Sequence, residues 1–182
     1  MAQINVLIAD DHKILRDGIK SLLSKEKDIN VVAEAANGTE TIDMAIQHQV
    51  DVVIMDIDMG KPNGIEITGI LKQKNPDINI LILSMLGLHD FIIQALEAGA
   101  TGYILKNAGK DELLTAIKSV ARGDSYFSKE VSASLIEQLH RSKPSKRNIS
   151  DIPLSNREIE VLKLIAQEYS NPEIANKLIN NN

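Results

Sequence analysis

Four short, β-rich apolar runs each close on polar residues, five in all, and together these could do chemistry. Asp10 and Asp11 follow Ile4–Ala9, Asp56 follows Val52–Met55, Ser84 follows Ile80–Leu83, and Lys106 follows Gly102–Leu105. In a parallel sheet all carboxyl ends lie on one edge, so these residues would share one rim. Singly, each Asp reads as a helix N-cap or turn former; the full set asks for more. Carboxylates gathered at one point repel one another unless a cation joins them. A few hard oxygen ligands describe Mg2+, which keeps several waters and often completes its shell with a phosphate oxygen. Lys106 can then pair with a second phosphoryl oxygen, and the Ser84 hydroxyl can donate to a third. Asp56 lies between metal and donors, placed to act as a nucleophile and become an aspartyl phosphate. Positioning and charge dispersal would carry most of such a transfer. Loss of the phosphoryl group would free Ser84 to turn away, which supplies a switch.

The elements that must hold these residues alternate between two periods over the first 125 positions. Ile4–Ala9, Ile29–Ala33, Val52–Met55, Ile80–Leu83 and Gly102–Leu105 read as strands. Between them apolar residues recur three or four apart, as in Leu15, Ile19, Leu22 and Leu23, in Ile42, Ala45 and Ile46, and in Leu113, Leu114, Ile117, Val120 and Ala121. Weaker helices carry Ile65, Ile70 and Leu71, then Ile92, Ala95 and Leu96. Several strands are apolar throughout, which suits strands covered on both faces. Alternation of this kind predicts an α/β fold with a doubly wound, five-stranded parallel sheet and right-handed crossovers. In the common order 2-1-3-4-5 the first and third strands meet at the switch point, bringing Asp10, Asp11 and Asp56 together. After Gly123 the pattern predicts helix only. Ser128 can cap a linker helix bearing Val131, Leu135 and Leu139, and Ser142–Leu154 is polar enough to read as a flexible tether.

Composition narrows the classes. The chain has 182 residues, 43% hydrophobic and 25% charged, with five prolines and ten glycines. That is the profile of a globular protein of one ordinary domain plus a smaller appendage. There is no cysteine, which excludes disulfides, zinc–thiolate sites and thiol catalysis. No apolar run approaches the ~20 residues that span a bilayer, and Met1–Asn5 lacks the pattern of a secretory signal; a cytoplasmic protein with no membrane association is expected. The net charge of −5 is uneven: −6 over residues 1–128 and +1 over 129–182. The basic stretch Arg141-Ser142-Lys143-Pro144-Ser145-Lys146-Arg147 reads as a solvated linker rather than a nucleic-acid patch. A body this acidic would not bind DNA unaided, since that affinity rests on phosphate neutralisation. The four histidines, His12, His48, His89 and His140, show no ligand spacing and read as solvated or locally bonded.

Residues 1–125 resemble the receiver domain of two-component response regulators. The matching positions are the Asp10-Asp11 pair, Asp56 within Val52-Val53-Ile54-Met55-Asp56-Ile57-Asp58-Met59, the Asn63-Gly64 turn, Ser84, and Gly102-Tyr103-Ile104-Leu105-Lys106. The resemblance implies that Asp56 is the phosphoacceptor, that Asp11 and Asp56 bind Mg2+ directly, that Asp10 acts mainly through water, and that the backbone carbonyl of Asp58 completes the site. It implies that Tyr103 is the aromatic whose ring follows Ser84 inward on activation. A sensor histidine kinase is the expected phosphoryl source, and a homodimer the expected product of phosphorylation. One departure stands out: the family usually has proline four residues after the phosphoacceptor, where this chain has Gly60, with Pro62 two positions on. That difference bears on phosphoryl lifetime more than on acceptance.

Residues 154–182 resemble the first two helices of the LuxR-type helix-turn-helix of the NarL/FixJ family. Leu154-Ser155-Asn156-Arg157-Glu158 opens with a capping box, Ile159, Leu162, Ile165 and Ala166 mark a buried face, and Ser170-Asn171-Pro172-Glu173-Ile174-Ala175 starts the scaffold helix, with Pro172 suited to a first turn. The recognition helix that reads bases follows the scaffold helix in this motif. Here only Ile179 and Asn180–Asn182 follow Leu178, so this output segment is expected to be incomplete, a shortened form of a longer regulator. No DNA-contacting residue is assigned, and specific DNA binding, normal for a complete family member, is expected to be weak or lost. The expected organisation is therefore a receiver over 1–125, a linker helix and tether over 126–153, and a cut-short output segment over 154–182. Two other classes compete. A receiver with a protein-interaction output fits the same residues. A Mg2+-dependent aspartyl phosphatase is suggested by Asp56-Ile57-Asp58, but such hydrolases carry that motif on their first strand and need a cap domain for which no chain is left. The expectation is a phosphoacceptor that labels itself once, not an enzyme with turnover.

Overall fold

The computed structural model describes residues 3–85 and 87–142, with side chains through residue 136. The expected tether after residue 142 and the helix-turn-helix segment at 154–182 lie outside the described residues. Strands and helices alternate: β1 Ile4–Ala9, α1 Lys13–Leu23, β2 Ile29–Ala35, α2 Gly38–Gln47, β3 Val52–Met55, α3 Gly64–Lys74, β4 Asn79–Ser84, α4 His89–Glu97, β5 Gly102–Leu105, α5 Lys110–Val120, β6 Tyr126–Phe127 and α6 Lys129–Ser142. All pairings are parallel, in the order β2-β1-β3-β4-β5-β6. Chain order reverses at β1, which has β2 on one side and β3 on the other, so the carboxyl ends of β1 and β3 frame the crevice where doubly wound sheets bind ligands.

The strands divide their side chains between two apolar layers. Leu7, Val53, Met55, Ile80 and Ile82 face α3, α4 and the start of α6 through Ile67, Leu71, Ile92, Ala95 and Val131, and α2 through the partly buried Ile42 and Ala45. Val6, Ile8, Ile54, Leu81 and Leu83 face α1 and α5 through Ile19, Leu23, Leu113, Ile117 and Val120. Burial on both faces is why β3 is apolar at every position. Edge strand β2 instead runs two residues past its apolar stretch, with Glu34 and Ala35 still paired to Ile8 and Ala9. Ile46, expected on the α2 stripe, stands 62% exposed at the last turn.

Five strands were expected, and helix alone after Gly123; both expectations are corrected by β6. Its register sets Tyr126 beside Gly102 and Phe127 beside Tyr103, and the Ser128 amide donates to the Tyr103 carbonyl at 3.2 Å. A Cβ on Gly102 would come within 2.8 Å of the Tyr126 carbonyl oxygen, so the bare glycine is what lets a sixth strand approach. Two residues carry no periodicity, which hid the strand. Ser128 does cap α6: its buried hydroxyl accepts from the Val131 amide at 3.4 Å. Among the described residues no helix is long and apolar enough to cross a membrane.

Candidate functional site

The rim is fixed first by backbone. Beyond the end of β3, the Asp56 amide donates to the Ala9 carbonyl at 2.8 Å; beyond β5, the Lys106 amide donates to the Ser84 carbonyl at 2.8 Å; beyond β1, the Asp10 amide donates to Ala35 at 3.2 Å. Sheet pairing thus extends one residue past each strand and delivers its polar residue to the edge. From below, α3 presses against the loop. Asn63 caps it, accepting from the Ile65 and Glu66 amides at 3.0 and 2.9 Å, while the Glu66 carboxylate accepts from the Asn63 amide at 2.8 Å. This reciprocal cap makes Gly64 the first helical residue rather than half of an isolated turn. A Cβ at Gly64 would lie 1.9 Å from the Asp56 carbonyl oxygen, so only glycine lets the helix approach the backbone that carries Asp56.

On this rim Lys106 Nζ lies 2.7 Å from Asp56 Oδ2 and 2.8 Å from Asp10 Oδ2. All three side chains are buried, the two carboxylates to within 3% of full burial. Burial pushes the Asp56 carboxyl above the ordinary carboxylate range against the opposing pull of the Lys106 hydrogen bond, and its neighbour Asp10 pushes the same way. The Asp58 backbone amide also hydrogen-bonds Asp56 and favours its charged form. For Lys106, burial alone would depress the ammonium, but hydrogen bonds to Asp10 and Asp56 outweigh it and raise the pKa. One cation against two buried acids, with the half-exposed Asp11 beside them, leaves the rim short of positive charge.

Asp10, Asp11, His12 and Asp56 each offer one ligand atom, and these atoms lie within 4.8 Å of one another. The convergence expected for the three acids is therefore present. A compact, anionic, mainly oxygen donor set fits a hard divalent cation. Asp58 is exposed and lines the adjoining cleft of about 400 Å3 together with Asp56, Ser84 and Lys106. Ser84 is buried and shares a side-chain hydrogen bond with Tyr103, whose phenol is pushed up by burial despite that bond. The Tyr103 ring is fully buried, not half-buried as an ordinary strand tyrosine would be.

Two participants escaped the motif reading. His12 Nδ1 lies 2.6 Å from Asp11 Oδ1 and 3.2 Å from Asp10 Oδ1; it is locally bonded, as one expectation had it, but bonded to the site itself. Arg16, one turn into α1, donates Nη1–H to the Asp10 carbonyl at 2.6 Å and lies 3.9 Å from Glu34 on β2. Adjacency of His12 to the acidic pair was the available signal for the first. For Arg16 the signal was a helix start that places residue 16 back over residue 10.

Known proteins resemble this chain in sequence and in fold. The receiver domain of response regulators matches residues 6–118. The oxygen regulatory protein NreC of Staphylococcus carnosus is 39% identical over 179 residues, covering 96% of this chain and 82% of that protein. Among solved structures, a LuxR-family two-component response regulator from Aurantimonas sp. SI85-9A1 superposes with a TM-score of 0.73 at 32% identity, over 76% of this chain and 99% of that one. The Salmonella typhimurium RcsB response regulator, solved in work on conformational dynamism for DNA interaction, gives 0.72 at 30% identity over 98% of this chain and 84% of that one. Fold, rim and kinship converge on one assignment: the chain belongs to the response regulators of two-component systems, of the NarL/FixJ type.

Proposed function

We propose that this chain accepts a phosphoryl group on Asp56 from a sensor histidine kinase and uses it to control transcription. The observation that carries the proposal is the Lys106 ammonium held between Asp56 and Asp10 at 2.7 and 2.8 Å, where it can follow charge from carboxylate to phosphoryl oxygen. An Asp56 oxygen attacks phosphorus; the O–P bond forms as the N–P bond to the kinase imidazole breaks, and that imidazole leaves with the electron pair. Lys106 shifts one donor to a phosphoryl oxygen while keeping Asp10 as its partner. Ser84, at the end of β4, supplies a hydroxyl to another oxygen, and Tyr103 packs behind it as the switch residue. Asp10, Asp11 and Asp56, with the Asp58 carbonyl, would hold Mg2+. When bound, Mg2+ neutralises phosphoryl charge that one lysine cannot.

In this reading residues 1–125 are the receiver, 126–153 a linker helix and tether, and 154–182 belong to a LuxR-type output segment. The chain is a cytoplasmic signalling protein that labels itself without turnover of a separate substrate. Phosphorylation joins two copies, since a two-fold assembly matches paired half-sites on DNA. Kinship with the oxygen regulatory protein NreC, and with RcsB, whose structure concerns DNA interaction, supports a regulatory output at DNA. The test is mass spectrometry after treatment with a small phosphodonor and Mg2+. A single phosphoryl group on Asp56, lost in Asp56→Asn, is the expected result; equal labelling of Asp56→Asn would overturn the assignment.

A further inference from the structure

We propose that His12 is a nitrogen donor to the divalent-ion pocket, extending its cations from oxygen-seeking Mg2+ to borderline transition ions such as Mn2+, Co2+ and Ni2+. The inference rests on the reading of Asp10, Asp11 and Asp56 as an ion site. His12 is the N-cap residue of α1, with extended backbone at φ −86° and ψ 101°, yet its side chain makes no capping hydrogen bond. The imidazole instead folds back on the acids, with Nδ1 2.6 Å from Asp11 and 3.2 Å from Asp10. It lines the same cleft as Asp56 and Lys106.

Geometry favours direct ligation. Donors on opposite sides of an ion with bonds of about 2.0–2.2 Å stand about 4.0–4.4 Å apart. The four candidate atoms already lie within 4.8 Å of one another, so side-chain rotation alone closes the set. The His12 side chain is 67% exposed and is not wedged in place by packing. The ring would bind an ion as the neutral tautomer that carries its hydrogen on Nε2, which leaves the Nδ1 lone pair for the metal. The consequence is selective. Mg2+ keeps water and oxygen ligands and gains little from imidazole, whereas affinity along Mn2+, Co2+ and Ni2+ rises with nitrogen donation.

The test uses the untagged full chain, its His12→Gln variant and a His89→Gln control. Binding of Mg2+, Mn2+, Co2+ and Ni2+ is measured by calorimetry, and pulsed EPR of the Mn2+ form reads coupling to imidazole 14N. Expected are 14N coupling in wild type and His89→Gln, its loss in His12→Gln, a fall of about tenfold or more in Co2+ and Ni2+ affinity, and Mg2+ affinity within about twofold of wild type. Equal weakening of Mg2+ and Co2+ in His12→Gln would mean that the ring only orients Asp11, and would overturn the proposal. Mn2+ bound without 14N coupling would overturn it too, while leaving the oxygen site standing. Failure of every ion to bind would overturn both the proposal and the pocket reading beneath it.

Discussion

Gly64→Ala tests whether the phosphoacceptor loop is held by close backbone approach. The added methyl would sit 1.9 Å from the Asp56 carbonyl oxygen and 2.8 Å from its carbon. An ordinary C···O contact is about 3.3 Å, so the start of α3 must retreat by about 1.4 Å. The obstacle is backbone, which cannot rotate aside as a side chain can. Retreat also strains the hydrogen bond from the Gly64 amide to Ile57, now 2.9 Å. Overpacking costs about 1–3 kcal/mol and a weakened hydrogen bond about 1 kcal/mol, offset by about 0.5–1 kcal/mol from helix propensity. A net loss of about 2–3 kcal/mol corresponds to a Tm lowered by roughly 6–12 °C for a domain of this size. Gly69→Ala, in the same helix, is the control: its Cβ meets nothing within 4 Å, so Tm should rise by about 2–4 °C. Circular dichroism melts of the two variants, with phosphodonor labelling of each, decide the matter. If both shift Tm in the same direction, or Gly64→Ala melts and labels like wild type, the phosphoacceptor loop is not held by close backbone approach.

Other perturbations probe the rim. Asp56 has a folded pKa raised above its unfolded value, so the unfolded chain gives up that proton first and stability from this group falls as pH climbs through the carboxylate range. Ionised Asp56 is thus a net cost at neutral pH, and Asp56→Asn should raise the metal-free Tm; an unchanged or lower Tm would show that the acids are not crowded. Lys106→Met removes the cation between two buried carboxylates, at a cost of about 3 kcal/mol near pH 8. The loss should shrink toward pH 5 as one acid takes up a proton, and a pH-independent loss in denaturant melts would contradict the pairing. Tyr103→Phe and Ser84→Ala should each cost about 1 kcal/mol, and a double-mutant cycle should return a coupling of similar size; strict additivity would mean that their hydrogen bond contributes nothing.

Much of this was legible in the chain because the strands are short, apolar and followed at once by their polar residue. The apolar runs at Val6–Ala9 and Val52–Met55 imply burial on both faces, which implies a parallel sheet, which implies that Asp10, Asp11 and Asp56 converge. What was hidden lacks a period or a side chain. β6 is two residues long and depends on Gly102, a residue that says nothing by itself about what approaches it. Gly64 read as a turn because Asn-Gly favours turns; its role beneath Asp56 emerges only when α3 is packed against the loop. His12 and Arg16 reach the acids through the geometry of a turn and one helical turn, which residue types along the chain do not announce.

The short sixth strand also ties two ends of the molecule's logic together. The β5 strand that bears Tyr103 and leads into Lys106 receives the Ser128 amide on the Tyr103 carbonyl, and Ser128 in turn caps α6 through Val131. Val131 packs in the same apolar layer as Tyr103. Any tug on the tyrosine's backbone is therefore felt one hydrogen bond later at the hinge where the sheet hands over to the last described helix. In deuterium-uptake experiments, the amides of Ser128 and Val131 should slow or quicken in step with those of β5 when Asp56 is modified, although neither residue comes near a phosphoryl group.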